Sequence, residues 1–412
     1  MTRVLDQLPT IIRGTSDAAR PTTSVLRIGN AAWLSLISAG LLTLAGILAI
    51  DLAEHAEGAA SGPLGLAGVA LKQAIFALLG LAAAMTIALP HYRLIKGLAI
   101  PAMAVAVLLL IFLLLPGIPS SIVTPRNGTR GWINMGPADF QPSEVAKIAY
   151  VLVVAGYMRY RREHRTFVGL IPLGILTAIP VGLIMLQPDL GTATLFAPSL
   201  LAMLLAAGAR LRHLTLIVAA AMLAGPAMYP FLRPHQKTRI VALIRQFQGD
   251  QTTAGDINYQ AFTAQTLIGA GGATGVGHDR ARLLLELNRL PEAHNDMVIA
   301  VVALRWGLLG AVAVVLLSAA WVLGALLTAA SCKEPFGRLV CVGLAAFVAA
   351  QTAINVGMNI GLLPIVGITL PFVSYGGSSI LTVWLMTGLV FNVALHRPRP
   401  PFRPSFEWHD EE

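Results

Sequence analysis

Five ionisable residues interrupt otherwise apolar runs of this chain: Glu144, Lys147, Asp189, Asp296 and Arg305. Charge at hydrocarbon depth is expensive, so such residues are functional candidates by default. Each also has a plainer structural reading. Glu144 and Lys147 are three apart and share a helical face, which suits a ligand-facing pair or an ion pair that neutralises itself within a bundle. Asp189 follows Pro188 and precedes Gly191 and Thr192, the pattern of a helix start where Asp or Thr caps free amides. Asp296 also stands at a helix start, where capping is again the plain alternative. Arg305 lies about two and a half turns farther along that helix with no acid beside it in sequence, so a salt bridge to another span, through Glu144 or Asp189, is expected.

Three other clusters bear on chemistry. The glycines at 269, 271, 272, 275 and 277 would suit an anion-binding nest. They lack the Lys-Ser/Thr ending of a phosphate loop, and a glycine-rich turn is the simpler expectation. Glu292, His294 and Asp296 match no strong metal-site spacing. The run Gly367-Ile-Thr-Leu-Pro-Phe-Val-Ser-Tyr-Gly-Gly-Ser-Ser379 mixes apolar and polar residues with turn formers. Irregular backbone at membrane depth is tolerated where it is buried in protein or faces a wet cavity. These residues predict a water-accessible cavity open to the outside, and by themselves they fit an enzyme or a transporter.

The elements that must position them are long apolar blocks. Of 412 residues, 56% are hydrophobic and 12% charged, against about 25% charged in soluble domains. The blocks run approximately 29–50, 70–89, 97–115, 142–160, 167–186, 190–209, 212–232, 297–327, 337–361 and 379–396. Their lengths suit a hydrocarbon core of ~30 Å, and they lack the two-residue alternation of a membrane barrel. The reading is an all-α integral membrane protein of about ten transmembrane helices. The block at 297–327 is long enough to tilt or to project beyond the bilayer.

Lys and Arg set the orientation. Arg3, Arg13, Arg20 and Arg27, then Arg93 and Lys96, Arg159 to Arg165, Arg210 and Arg212, Lys333 and Arg338, and Arg397 to Arg403 all fall on one side. That side is the cytoplasm, so both termini are cytoplasmic and a long periplasmic loop, 233–296, joins spans 7 and 8. Segments 116–141 and 362–378 are the other substantial outer connections. A cytoplasmic tail (1–28), one polytopic domain (29–396) and a second tail (397–412) complete the organisation. The first tail is too long and polar for a cleavable signal, so the first block acts as an uncleaved anchor. The net charge of +9 is a topology signal, so no nucleic-acid partner is expected. Cys332 and Cys341 suggest neither a disulfide nor a metal site.

The motifs, taken in order, resemble the shape, elongation, division and sporulation (SEDS) family across roughly residues 30–396. They are Thr129-Arg-Gly-Trp-Ile133, Gln141-Pro-Ser-Glu-Val-Ala-Lys147, Gln187-Pro-Asp-Leu-Gly-Thr192, Tyr259-Gln260 with the glycine cluster, Leu290-Pro-Glu-Ala-His-Asn-Asp296, and Gly367 through Ser379. The wording of the last motif and the short C-terminal tail look more like the RodA branch than the related FtsW branch.

The resemblance implies a peptidoglycan glycosyltransferase of the bacterial inner membrane, its active site facing the periplasm. It would polymerise lipid II into glycan strands for cell elongation and rod shape. Its implied partners are lipid II, a class B penicillin-binding protein that crosslinks, and the elongation machinery. The family's essential aspartate falls on Asp296, which would act as general base on a sugar hydroxyl, with undecaprenyl pyrophosphate leaving. A departing pyrophosphate needs positive charge, from a divalent cation such as Mg2+ or Mn2+, or from Arg130, Lys147, Lys237 and Arg239. No organic cofactor and no dedicated metal-binding residues are implied. Gln141, Ser143, Glu144, Ser374 and Tyr375 complete the expected substrate-binding set. The chain departs from the family pattern at Asn295 and Met297, which flank the aspartate, and at Leu304 and Arg305, where the family carries an acidic pair. A lipid II flippase and a non-catalytic scaffold for the penicillin-binding protein are the competing readings.

Overall fold

The computed structural model describes residues 31–60, 62–126, 129–136, 139–160, 166–231, 237–238, 240–241, 244 and 259–396. Arg239, both expected terminal tails and most of 233–258 lie outside them. The helices are α1 (Ala32–Ala56), α2 (Gly68–Ala88), α3 (Tyr92–Leu114), α4 (Pro142–Tyr160), α5 (Ile171–Leu186), α6 (Leu190–Thr194), α7 (Phe196–Ala206), α8 (Leu211–Met228), α9 (Tyr259–Gly271), α10 (His278–Asn288), α11 (Val298–Ser331), α12 (Pro335–Asn359) and α13 (Gly377–His396).

Among the described residues, seven helices are long and apolar enough to cross a membrane: α1, α2, α3, the stretch Val168–Leu186 that contains α5, α11, α12 and α13. Of the other expected blocks, 142–160 is the helix α4 with its buried charges, 190–209 divides into α6 and α7, and 212–232 is the shorter α8. The peripheral helices leave large side chains uncovered, among them Leu78 at 68%, Met85 at 63% and Ile100 at 74% exposure. Lipid tails are the solvent for such a surface.

Helices in lipid gain no hydrophobic drive from meeting each other, so small residues that let backbones touch do the joining. The pair α2–α13 shows this: a Cβ on Gly388 would stand 2.5 Å from the Ala84 carbonyl. Asn392 of α13, fully buried, closes the same pair by donating to the carbonyls of Ile87, Ala88 and Pro90. At the same end of the bundle Arg159 pairs with Glu334 at 2.7 Å, tying the last turn of α4 to the start of α12.

Segment 116–141 adds one element that the sequence reading did not contain. It folds into a three-stranded antiparallel sheet, β1 (Val123–Arg126), β2 (Thr129–Asn134) and β3 (Asp139–Phe140). Such short strands carry no hydrophobic alternation long enough to read.

The long block also resolves differently from a tilted span. Inside α11 the backbone breaks at Gly307, with φ 72° and ψ −168°. The glycine-rich turn after α9 docks into the break. Val276 N–H donates to the Leu304 carbonyl at 3.0 Å, while Leu308 and Leu309 N–H donate to the Gly272 and Ala273 carbonyls at 2.8 and 3.1 Å. The glycines thus serve as a turn: Gly271 and Gly275 are pressed against α11, and Gly272, Gly275 and Gly277 hold positive φ. A Cβ on Gly275 would lie 2.2 Å from the Arg305 carbonyl, and one on Gly307 would lie 2.3 Å from the Ala273 carbonyl. Gly307→Ala should therefore lower the thermal midpoint in detergent, with a strain cost of about 1–3 kcal/mol before any backbone shift. Gly40→Ala, on the exposed face of α1 where a methyl meets nothing within 4 Å, should leave it unchanged or raise it. Equal midpoints for the two variants would contradict this account of the break.

Arg305 sits just before the break, and its expected partners are not the ones it finds. Its Nη1 donates to the Leu48 carbonyl of α1 at 2.8 Å, its guanidinium lies 4.7 Å over the Trp306 ring, and the carboxylate it feels is Asp51. Glu144 is taken by Lys147, and Asp189 by Thr192 and Gln141. The position turns toward α1, whereas those two acids belong to the α4–α6 side. Leu304 beside it is fully buried.

Candidate active site

Four separated motifs meet at one end of the bundle, around the irregular run that precedes α13. Asp296 lies in a tight turn two residues before α11. Met297, not Asp296, takes the N-cap position, and it makes no side-chain cap. Its residue is half-buried. Its carboxylate faces Gly367, where a Cβ would lie 3.5 Å from Oδ2. Gly367 has φ +72°, a conformation that L side chains rarely adopt.

Hydrogen bonds join the two segments. Ser374 Oγ donates to the Asn295 carbonyl at 2.7 Å and accepts from Leu370 N–H at 2.7 Å. Tyr375 N–H donates to the His294 carbonyl at 2.9 Å, and the two rings stack edge to face at 6.0 Å. Glu292 (φ 56°) and Phe372 (φ 68°) hold left-handed backbone on either side of this seam. Bulky residues persist there only where the surroundings over-determine them, a pattern that clusters at functional sites.

The other motifs border the same run. Gly191 touches it so closely that a Cβ would lie 2.6 Å from the Val366 carbonyl. Asp189 caps α6 as its sequence suggests, Oδ1 accepting from Thr192 N–H at 2.9 Å, while Gln141 Nε2 reaches Oδ2 at 3.5 Å. Burial in this link pushes the Asp189 carboxyl above its ordinary range, against the pull of the Thr192 hydrogen bonds and the Lys147 charge. Ser378 Oγ receives Gln141 N–H at 3.0 Å and donates to the Asp139 carbonyl of β3 at 2.7 Å, so the sheet is tied to the start of α13.

Glu144 and Lys147 are an ion pair at 2.8 Å, with side-chain exposures of 5% and 0%. Lys147 Nζ also donates to Gln351 Oε1 at 3.3 Å. Both charges point into protein in this structure, as the structural reading of the pair requires. Ser143 is buried beside them, its Oγ without a hydrogen-bond partner among the described residues. Arg130 of β2 is half-buried, and its Nε has no hydrogen-bond partner among the described residues. Lys237 makes its contacts elsewhere, with the Pro230 carbonyl at 2.9 Å and the Tyr229 ring at 5.7 Å. Arg239 is outside the described residues.

The sequence reading missed three amides on one face of α12. Gln351, Asn355 and Asn359 are buried at 3%, 0% and 0% exposure. They donate to Thr369, Ile368 and Asp296 main-chain carbonyls across the seam. Their signal was present: three amides four residues apart on an otherwise apolar helix share a face, and buried polar groups seek partners.

Among the described residues no three His, Cys, Asp or Glu side chains gather in a way that could hold a metal ion.

The family model describing the FtsW, RodA and SpoVE cell cycle proteins matches residues 32–399. This chain belongs to that family. Among curated relatives, a probable peptidoglycan glycosyltransferase FtsW of Thioalkalivibrio sulfidiphilus is 34% identical over 91% of this chain and 93% of its own. One of the same name from Geobacter metallireducens is 31% identical over 80% of this chain and 86% of its own. Two solved structures share the fold. One, from a study of how a peptidoglycan synthase complex coordinates polymerization and crosslinking, aligns with TM-score 0.71 and 28% identity over 88% of this chain and 97% of that one. The other is the rod shape determining protein RodA of Thermus thermophilus, with TM-score 0.63 and 25% identity over 89% and 98%. A multi-pass bacterial membrane protein of the SEDS fold is thereby established, on both sequence and structure.

Proposed function

We propose that this SEDS protein is a peptidoglycan glycosyltransferase that polymerises lipid II at the seam between residues 290–296 and 367–376, with Asp296 as general base. The observation that carries the reading is the half-buried Asp296 carboxylate facing Gly367 across the seam. A sugar hydroxyl placed at that face loses its proton to Asp296 as it attacks the anomeric carbon of the second substrate. The bond from that carbon to the pyrophosphate oxygen breaks. Pyrophosphate leaves as a stable anion, so a second carboxylic acid to protonate it, as glycosidases use, is unnecessary.

Positive charge must meet the leaving group. Arg130 is the basic residue best suited, since its Nε has no partner among the described residues and its guanidinium can grip phosphate through two N–H groups. Lys147 is engaged with Glu144 and serves to hold the helices. A divalent cation, if the reaction uses one, would come bound to the pyrophosphate, as Mg2+ often does. The reading includes about ten spans and a periplasmic site, supported by the basic residues of the short connections, most of which the sequence gathers at the end opposite the motifs. A class B penicillin-binding protein is the expected crosslinking partner.

Purified protein given labelled lipid II, with its partner present, should produce glycan strands. Movement of lipid II across vesicles without strands would favour a flippase instead. The wording of Gly367–Gly377 supports the RodA branch, hence elongation, although the curated relatives bear the FtsW name. Depleting the protein in its host should then round the cells; filaments would assign it to division.

A further inference from the structure

The amide ladder on α12 does more than close gaps between loops. Asn355 and Asn359 each donate Nδ2 to one atom, the main-chain carbonyl oxygen of Asp296, both at 2.9 Å. Such an oxygen has two lone pairs, so the two amides fill it. Asn355 also donates to the Ile368 carbonyl at 2.7 Å, and Gln351 donates to the Thr369 carbonyl at 2.9 Å. The peptide that carries the carboxylate and the run whose Gly367 faces it are therefore fastened to the same helix face. Nearby, the Glu144–Lys147 pair reaches Gln351 at 3.3 Å. Turning the Asp296 peptide would break two hydrogen bonds at once.

We propose that Asn355 and Asn359 are positioning residues for Asp296: they fix its peptide plane so that the carboxylate faces the Gly367 side at hydrogen-bonding distance from the acceptor hydroxyl. They touch no substrate. The inference rests on the reading of Asp296 as base, and its test separates the two.

The experiment is steady-state lipid II polymerisation by the full-length protein with its partner, per folded molecule. It uses Asn359→Ala and Asn359→Asp, with Asp296→Asn beside them. Misplacing a reacting group by about 1 Å can cost ~100-fold. For Asn359→Ala the expected result is a kcat lowered about 10- to 100-fold with KM within about twofold, since the loss falls on the transition state. Asn359→Asp adds a readout that a merely structural role would not move. Its ionised carboxylate cannot donate to the Asp296 carbonyl, whereas the neutral acid keeps one O–H donor. Its kcat relative to wild type should rise as pH falls, opposite to the loss that protonating a general base causes. If Asn359→Ala fails to fold, this pH ratio, measured on the isosteric variant, decides alone. Wild-type kcat in Asn359→Ala, or a flat ratio in Asn359→Asp, with Asp296→Asn inactive, would overturn the positioning role and leave the base in place. An active Asp296→Asn would overturn the base itself.

Discussion

Lys147→Met should destabilise the protein by about 3–5 kcal/mol, the usual cost of leaving one charge of a buried pair alone. Lys147 is fully buried, and its ammonium supplies the hydrogen bond that Glu144 Oε1 accepts. Glu144 Oε2 already has no hydrogen-bond partner among the described residues, so removal of Lys147 strands the whole carboxylate. The lysine also holds Gln351, which donates to the Thr369 carbonyl of the seam. Activity should fall with stability. The double variant Glu144→Gln/Lys147→Met should recover most of the thermal midpoint, because neither charge then remains unpaired. A single variant that melts like wild type in detergent would show that the pair is solvated rather than buried. A double variant as unstable as the single would assign the cost to packing of the lysine stem.

Asp296→Asn should lower kcat by about 10²- to 10⁴-fold, the range a positioned base contributes. The change is nearly isosteric, and main-chain contacts hold the segment. Asn355 and Asn359 grip the main-chain carbonyl, and Ser374 grips Asn295. The variant should therefore fold and bind lipid II as wild type does. An effect confined to KM would mean that Asp296 binds substrate and does not move the proton.

The apolar blocks and the motif residues were legible because hydropathy and local spacing are properties of adjacent residues. Asp189 as a cap is one example: its partner, Thr192, is three residues away. What could not be read depends on chain segments far apart. The docking of Gly272–Val276 into the Gly307 break joins residues about thirty apart, and one glycine among many gives no sign of ψ −168°. Arg305 was expected beside Glu144 or Asp189, yet helix rotation turns it to Leu48 and Asp51 on α1. The amides of α12 reveal a face but not what it holds, since Asn355 meets Asp296 fifty-nine residues away. The sheet of segment 116–141 stayed hidden because its strands are too short to show a period.

The most direct measurement is the length distribution of glycan made from labelled lipid II by wild-type protein and by Asp296→Asn, each purified with its penicillin-binding partner and matched for lipid II binding. A strand ladder from wild type and unconverted lipid II from the variant is the predicted result. Strands from the variant at the wild-type rate would contradict the assignment of Asp296 as the base.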